Sequence, residues 1–131
     1  MIEIARHYKN GPIKRKDIIN TQNISHTYLE NILISLKTNR LIRAVRGVNG
    51  GFSLEKPPSA INLLDIVTTL EGTISPIECL ENYSLCEKTR YCTARKAWGK
   101  LHEAQKNVLS GISLQDLLEA DSRESADDYV I

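Results

Sequence analysis

Long apolar runs, paired cysteines and leader-like segments are scarce in this chain of 131 residues. No apolar run approaches the roughly 20 residues that a membrane-spanning helix requires, and the N-terminus lacks the apolar segment of a signal peptide. We therefore expect a cytoplasmic protein that does not contact membranes. The three cysteines are an odd number and all lie within residues 79–92, which argues against a secreted disulfide framework.

The marks of an enzyme are also missing. Ser, His and Asp residues are scattered, no phosphate-binding loop occurs, and His7, His26 and His102 lack the spacing of metal ligands. One Trp and one Phe beside five Tyr leave the core mostly aliphatic, although 41% apolar residues are enough to form one. The sequence predicts a non-enzymatic protein of one domain with, at most, an appended element.

Residues 23–54 contain a helix followed by a basic hairpin. Ser25 can cap the helix, whose apolar residues recur at helical spacing: Tyr28, Leu29, Ile32, Leu33 and Leu36. Asn39 suits the left-handed residue that ends a helix. Two alternating runs at 41–47 and 52–54 follow, and the glycine-rich residues between them suit a hairpin turn.

This order of elements predicts a winged helix-turn-helix. Shorter helices are expected at 2–9 and 14–20, and the second of these would support the main helix. The main helix would enter the major groove of DNA, while the hairpin tip would reach the backbone or the minor groove. Arg43 and Arg46 flank a small tip that includes Gly47 and Asn49. The alternative is an ordinary helix and hairpin whose glycines serve only the turn.

Charge is segregated along the chain. Residues 1–56 hold ten Lys and Arg against four Asp and Glu, a net charge of +6, whereas residues 57–131 hold seven against twelve, a net charge of −5. A basic N-terminal half fits contact with phosphates, and an acidic remainder limits indiscriminate binding to polyanions. Solvated surface charge is the simpler explanation, but it does not predict such segregation.

The second half of the chain predicts three helices. Asn62 can cap a core helix that ends at Gly72, a long helix spans about 93–110, and a short one spans 114–120. The long helix carries an apolar stripe: Ala94, Ala97, Trp98, Leu101, Ala104 and Val108. A stripe on a projecting helix is most simply buried against a second copy, so we predict a homodimer; packing within one chain is the alternative.

These elements give a mainly α-helical fold with a small β-hairpin. The predicted units are a winged helix-turn-helix domain at 1–58, then a core helix, cysteine loop and dimerisation helix at 59–120. A disordered tail is expected at 121–131.

The cysteine loop is a candidate metal site. Cys79, Cys86 and Cys92 are separated by six and five residues. Soft thiolates suit iron–sulfur clusters or zinc, and the lack of a Cys-x-x-Cys pair weighs against a zinc knuckle. We predict an iron–sulfur cluster whose fourth ligand the sequence does not identify. The alternative is three unligated thiols packed as small apolar groups, although their neighbours are mostly polar.

Several motifs together resemble the Rrf-two (Rrf2) family of bacterial transcription regulators. They are Ser-His-Thr-Tyr-Leu-Glu-Asn at 25–31, Val-Arg-Gly-Val-Asn-Gly-Gly-Phe at 45–52, Leu-Leu-Asp-Ile-Val at 63–67, and the cysteine loop running into a Trp-bearing helix. The resemblance extends from Met1 to about Leu118 and implies a dimeric winged helix-turn-helix repressor or activator. In some members three cysteines hold a 2Fe–2S or 4Fe–4S cluster that modulates DNA affinity; others are cluster-free.

The resemblance also implies which residues contact DNA. Glu30 suits discrimination by accepting from cytosine amino groups or by repelling phosphate, Asn31 suits adenine, and Arg46 would enter the minor groove. His26 is expected to contact phosphate or base, or simply to be exposed. The full predicted set is Ser25, His26, Thr27, Tyr28, Glu30, Asn31, Arg43, Arg46, Gly47 and Asn49.

The chain departs from the family pattern in two places. Members usually carry about a dozen residues before the position of Met1, and an acidic residue there is the fourth cluster ligand in some of them. In others a histidine three residues after the third cysteine takes this role, but Arg95 occupies that position here. His102 is a poor substitute, ten residues beyond Cys92 and about 15 Å away by helical rise.

Three functional hypotheses follow. The first is a DNA-binding regulator, expected to be a repressor, whose operator affinity responds to an iron–sulfur cluster. The second is a cluster-free winged-helix regulator switched by thiol redox or by a partner protein. The third and weakest is an electron-transfer iron–sulfur protein.

Overall fold

The computed structural model describes residues 1–127, and their side chains as far as residue 123. Its first three helices are α1 (Ile2–Arg6), α2 (Arg15–Gln22) and α3 (His26–Thr38). Asn23 adopts the left-handed conformation, with φ 49°, in the tight turn that joins α2 to α3. Helices α2 and α3 form the predicted helix-turn-helix, although α1 stops three residues short of its predicted end.

The two ends of α3 are fixed by different means. At its start, the backbone N–H of Tyr28 donates to the Ser25 hydroxyl oxygen at 3.2 Å, so Ser25 is the predicted cap. At its end, the left-handed residue is Arg40, with φ 56°, and the prediction of Asn39 was wrong by one position. The Leu41 N–H reaches the Leu36 carbonyl at 3.0 Å, and both side chains are buried, so core packing of Leu41 sets where the chain reverses.

The wing is an antiparallel hairpin of β1 (Ile42–Val45) and β2 (Gly51–Leu54). A third segment, which the sequence analysis missed, lies beside it. Ile13 and Phe52 exchange two backbone hydrogen bonds of 2.9 Å, and this bridge joins the start of the helix-turn-helix to the wing. Gly51 permits that approach, because a Cβ at this position would overlap the Ile13 carbonyl group.

The remaining helices are α4 (Leu63–Glu71), α5 (Thr93–Ser110) and α6 (Leu114–Asp127). Helix α4 begins and ends as predicted: Asn62 accepts from the Asp65 N–H at 2.8 Å, and Gly72 has φ 81°. Helix α5 has its predicted bounds. Short 3-10 turns lie at Pro58–Ala60, Glu78–Leu80 and Tyr83–Leu85.

Helix α6 is longer than predicted. It begins with a reciprocal cap, in which the Ser113 N–H donates to the Asp116 carboxylate at 2.8 Å and the Asp116 N–H donates to the Ser113 hydroxyl at 3.1 Å. An ion pair between Arg6 and Asp121 then ties it to α1 beyond residue 120. The expected disordered tail at 121–131 therefore overlaps helix at 121–127, and residues 128–131 lie outside the described residues.

One hydrophobic cluster holds these elements together. Its most deeply buried members are Leu36, Ile42, Leu54, Ile61 and Leu114. Leu114 belongs to α6, so residues on both sides of the predicted boundary at residue 58 contribute to the same core. Two backbone hydrogen bonds of 2.8 Å, from Leu63 to Ile112 and from Leu114 to Ile61, fix the start of α6 against the segment before α4. Within residues 1–127, no helix is long and apolar enough to cross a membrane.

Leu114→Ala should destabilise the fold strongly, because it leaves a cavity beneath the helix-turn-helix. Leu114 is 0% exposed, and burial of this kind predicts a loss of about 3 kcal/mol in the free energy of unfolding. Leu85→Ala, at a leucine that is 54% exposed, is the matched control and should change stability by less than about 0.5 kcal/mol. Urea denaturation followed by far-UV circular dichroism measures both; equal effects would contradict this picture of the core.

Candidate functional site

The outward face of α3 is available for contact. His26, Thr27 and Asn31 are exposed, and Tyr28 is 60% exposed, so it lies outside the core that its spacing first suggested. Leu29, Leu33 and Leu36, on the opposite face, are buried and fix the helix against the rest of the domain. The predicted reading residues of this helix therefore share a surface that is rigidly supported from behind.

Ile34 is a candidate contact that sequence reasoning missed. Thr27, Glu30, Asn31 and Ile34 are spaced so that they occupy one side of the helix, and Ile34 is 50% exposed. An apolar side chain in the major groove suits the methyl group of thymine. The sequence does contain one indication that Ile34 is exposed: it lies outside the buried stripe formed by the leucines of α3.

The wing presents an exposed basic tip. Arg43, Arg46, Gly47 and Asn49 are all exposed, and Val48 at the tip is 91% exposed. Gly47 has φ 116°, and the Gly50 N–H donates to its carbonyl at 3.0 Å, which closes the turn. Between β1 and β2 only Gly47 has a positive φ; Asn49 and Gly50 do not.

Further basic residues extend this surface toward α3. Lys37, Arg40, Arg43 and Arg46 line the depression between the end of α3 and β1, together with Glu55. Neither Arg43 nor Arg46 forms an ion pair with any described residue. Their charge is therefore free to attract phosphates, and the α3 N-terminus adds the positive end of its helix dipole.

Glu30 differs from the other predicted reading residues because it is already paired. Its carboxylate lies 3.1 Å from a guanidinium nitrogen of Arg15, the first residue of α2. Arg15 was not among the predicted site residues, since nothing in the sequence spacing brings residues 15 and 30 together.

The structure brings two of the three cysteines toward Arg95. Cys79 and Cys92 are half-buried and Cys86 is exposed, and all three are free thiols. The Cys92 sulfur caps α5 by accepting from the Arg95 N–H at 3.4 Å, while the Arg95 side chain donates to the Cys79 carbonyl oxygen at 3.3 Å. The guanidinium of Arg95 also lies 5.1 Å from the centre of the Tyr83 ring.

The cysteine loop is the predicted iron–sulfur site. Among the described residues, no three Cys, His, Asp or Glu side chains converge closely enough to hold a metal ion. The Cys92 sulfur accepts the Arg95 N–H as a helix cap, a bond that a metal-bound thiolate can also accept, and Cys86 lies in the exposed stretch 81–88. The predicted ligand set of Cys79, Cys86 and Cys92 is thus not assembled, and its role stays a prediction.

Helix α5 leaves a long apolar stripe uncovered. None of its 18 residues, all in the described part of the chain, is buried. Trp98 is 43% exposed, Leu101 44% and Val108 61%. Exposed apolar stripes of this length typically mark a surface that binds another protein.

A supported reading helix followed by a basic wing defines a winged helix-turn-helix DNA-binding protein. The family model for Rrf2, described as an iron-dependent transcriptional regulator, matches residues 1–120. The chain belongs to the Rrf2 family of transcriptional regulators.

Two relatives illustrate the match. The chain is 38% identical over 117 residues to the transcriptional regulator CymR of Bacillus subtilis, covering 89% of this chain and 80% of the relative. The solved structure of CymR, the global cysteine regulator of B. subtilis, superposes with a TM-score of 0.74 and 36% identity over 91% of this chain and 87% of that one. T. potens IscR superposes with a TM-score of 0.75 and 29% identity over 95% and 80%. Both relatives are named as regulators and neither is named as an enzyme.

Arg46→Ala should weaken binding to duplex DNA and lower its dependence on salt. If Arg46 neutralises one phosphate, the slope of log K against log salt should fall by about one unit. Lys106→Ala is the control, because Lys106 lies on α5 and pairs with Glu103 at 3.8 Å, away from the wing. Fluorescence anisotropy across a salt series measures both. An unchanged slope for Arg46→Ala would contradict a contact between the wing and DNA.

Proposed function

We propose that this protein binds operator sites in double-stranded DNA as a homodimer and so regulates transcription in the bacterial cytoplasm. The proposal is supported mainly by the joined surface of α3 and the wing, where most of the predicted reading residues are exposed and Arg43 and Arg46 form no ion pair with a described residue. The half-buried and buried residues behind this surface give it a fixed shape. A fixed shape is needed because base contacts tolerate little displacement.

The expected contacts with DNA are of two kinds: some position the protein on the phosphate backbone, and others read the bases. The start of α3, with the Ser25 hydroxyl and free backbone N–H groups, suits a phosphate oxygen. Thr27, Asn31 and Ile34 suit base edges in the major groove, and Arg46 suits the neighbouring minor groove. Phosphate contacts supply affinity without sequence information, and the α3 contacts supply selectivity.

Selection from a library of randomised duplexes tests this proposal directly. Purified protein should enrich sites with two related half-sites, their centres about one helical turn or a multiple of it apart. Thr27→Ala with Asn31→Ala should abolish enrichment while the far-UV spectrum is unchanged. A wild-type protein that enriches no sequence would contradict operator binding.

The proposed homodimer forms through α5. Its uncovered stripe is the proposed surface for self-association, and a two-fold dimer would place two reading helices on one face of the duplex. Burial of Trp98, Leu101 and Val108 against their symmetry mates would remove apolar area from water at about 25 cal/mol per Å².

Trp98→Glu should therefore convert the dimer to a monomer and weaken operator binding, since a charge would have to be buried in the seam. Lys96→Glu, on the charged side of α5, is the matched control and should leave the dimer intact. Sedimentation velocity measures the assembly state. A monomeric wild-type protein, or a Trp98→Glu variant that remains dimeric, would contradict the role of α5.

The cysteine loop is the proposed sensing element, because it leads directly into α5 at Cys92. An iron–sulfur cluster on Cys79, Cys86 and Cys92 is supported by the description of the family as iron-dependent, and binding it would have to bring together thiols that form no metal site among the described residues. Thiol redox chemistry is the second candidate, and the exposure of Cys86 favours it. Either chemistry at Cys92 would act at the residue that caps the helix proposed to join the two subunits.

Cys92→Ser separates the cap from the thiol chemistry. Serine retains a capping oxygen, so this variant should keep its stability and its DNA affinity but lose any response to iron or oxidant. Cys92→Ala loses the cap as well and should be less stable by about 0.5 kcal/mol. A Cys92→Ser variant that still responds would exclude Cys92 as a sensor.

Iron and sulfide assays after anaerobic reconstitution then distinguish the two chemistries. Iron binding with visible absorbance that Cys79→Ala, Cys86→Ala and Cys92→Ala each reduce would support a cluster. A colourless protein whose DNA affinity changes with oxidant would support the thiol switch.

A further inference from the structure

The ion pair between Arg15 and Glu30 is the one charged contact on the reading face of α3 among the described residues. An Arg15 guanidinium nitrogen donates to Glu30 Oε1 at 3.3 Å and lies 3.1 Å from Oε2. The two side chains are 38% and 37% exposed, so the pair lies at the rim of the interface. The carboxylate is held toward α2 at a helix position from which it would otherwise reach the groove.

Arg15 is itself held on a second side. Its guanidinium carbon lies 5.8 Å from the centre of the Phe52 ring in β2, within cation–π range. The backbone bridge between Ile13 and Phe52 fixes the same two segments, two residues before Arg15. Arg15 therefore contacts α3 and the wing from the start of α2, and the three parts of the DNA-binding surface meet at this side chain.

The pair is incompletely satisfied. Glu30 Oε2 is shielded from solvent and, despite its 3.1 Å approach to Arg15, makes no hydrogen bond of good geometry; Arg15 Nε likewise lacks a hydrogen-bond partner among the described atoms. A base cannot reach this shielded oxygen, so the oxygen of the 37% exposed side chain that is available to a donor is Oε1, which accepts one bond from Arg15 at 3.3 Å and keeps a lone pair. On a major-groove surface, the donor that such an acceptor suits is the amino group of cytosine or adenine.

An unpaired glutamate at this position would behave differently. It would rotate freely and repel the nearby phosphates, which opposes binding to every sequence. With Arg15 in place, the charge of Glu30 is compensated and its direction is restricted. The neighbouring residues Lys14 and Lys16 are exposed and carry no such contact.

We infer that Arg15 is a positioning residue for operator selectivity: it aims the Glu30 carboxylate at an amino-bearing base and cancels its repulsion of phosphate. The inference rests on the proposed operator binding and adds a specificity-determining residue outside the reading helix. It also gives the wing a part in base selection, because Phe52 supports the guanidinium from behind.

The test compares wild type, Arg15→Met, Glu30→Ala and the double variant. Each is carried through selection from randomised duplexes, and affinities are then measured for the best wild-type duplex and all its single-base-pair variants. Arg15→Met should reduce discrimination by about tenfold at one base pair in each half-site and leave the other positions unchanged. Glu30→Ala should reduce discrimination at the same base pair, and the double variant should lose no more than Glu30→Ala alone.

Control variants distinguish a positioning role of Arg15 from a loss of folding and from the simple loss of a positive charge. Lys16→Met removes an adjacent positive charge and should lower affinity for all duplexes equally, with an unchanged pattern of preference. Arg15→Lys keeps the charge without the planar fork and should restore affinity more than selectivity. Thermal melting of each variant reports any loss of folding.

Two results would overturn the inference. One is an Arg15→Met variant with the wild-type preference at every position; the other is a loss spread evenly over all positions, which indicates general weakening. A wild-type protein that enriches no sequence would remove operator binding itself, and this outcome is distinct from both.

Discussion

Burial of one side of α3 is the constraint on which the rest of the structure depends. The leucines of this helix pack into a cluster that also contains Leu54 of the wing and Leu114 of α6. Because every neighbouring element contributes to this cluster, the outward face of α3 has a fixed direction relative to the wing. The DNA-binding surface is thus a consequence of core packing, and its charged residues need no structural role of their own.

The same core connects the DNA-binding surface to the cysteine loop. Helix α4 packs on α3 and α5, and the start of α6 is bonded to the segment that precedes α4. The loop between α4 and α5 is fastened by Arg95, which contacts the backbone at Cys79 and the ring of Tyr83. A chemical change at the thiols would act on α5, and through it on the spacing of the two reading helices in a dimer. Because half-site spacing is strict, a small change in the distance between the two reading helices would change operator affinity strongly.

The Arg15–Glu30 pair illustrates how a recognition surface uses residues outside the recognition helix. Glu30 is placed on the correct side of α3 by helical periodicity, but its direction is decided by Arg15 and Phe52, which come from two other segments. A free carboxylate beside phosphates opposes binding, whereas a compensated one can select among bases. Selectivity at this position therefore depends on the packing of α2, α3 and β2 together.

The sequence alone determined most of the helices and strands, because these depend on interactions between residues close together in the chain. Examples are the caps at Ser25 and Asn62, the glycine after α4, the bounds of α5 and the exposed arginines of the wing. Tertiary structure alone decided which distant residues meet. It placed Arg40 rather than Asn39 in the left-handed position, because Leu41 packs in the core, and it joined Ile13 to Phe52 and Arg15 to Glu30. Among the described residues it did not assemble the three thiols into a metal site, although their spacing in the chain suggested one. Spacing limits how far apart two residues can be, but only the packed fold determines which side chains point at one another.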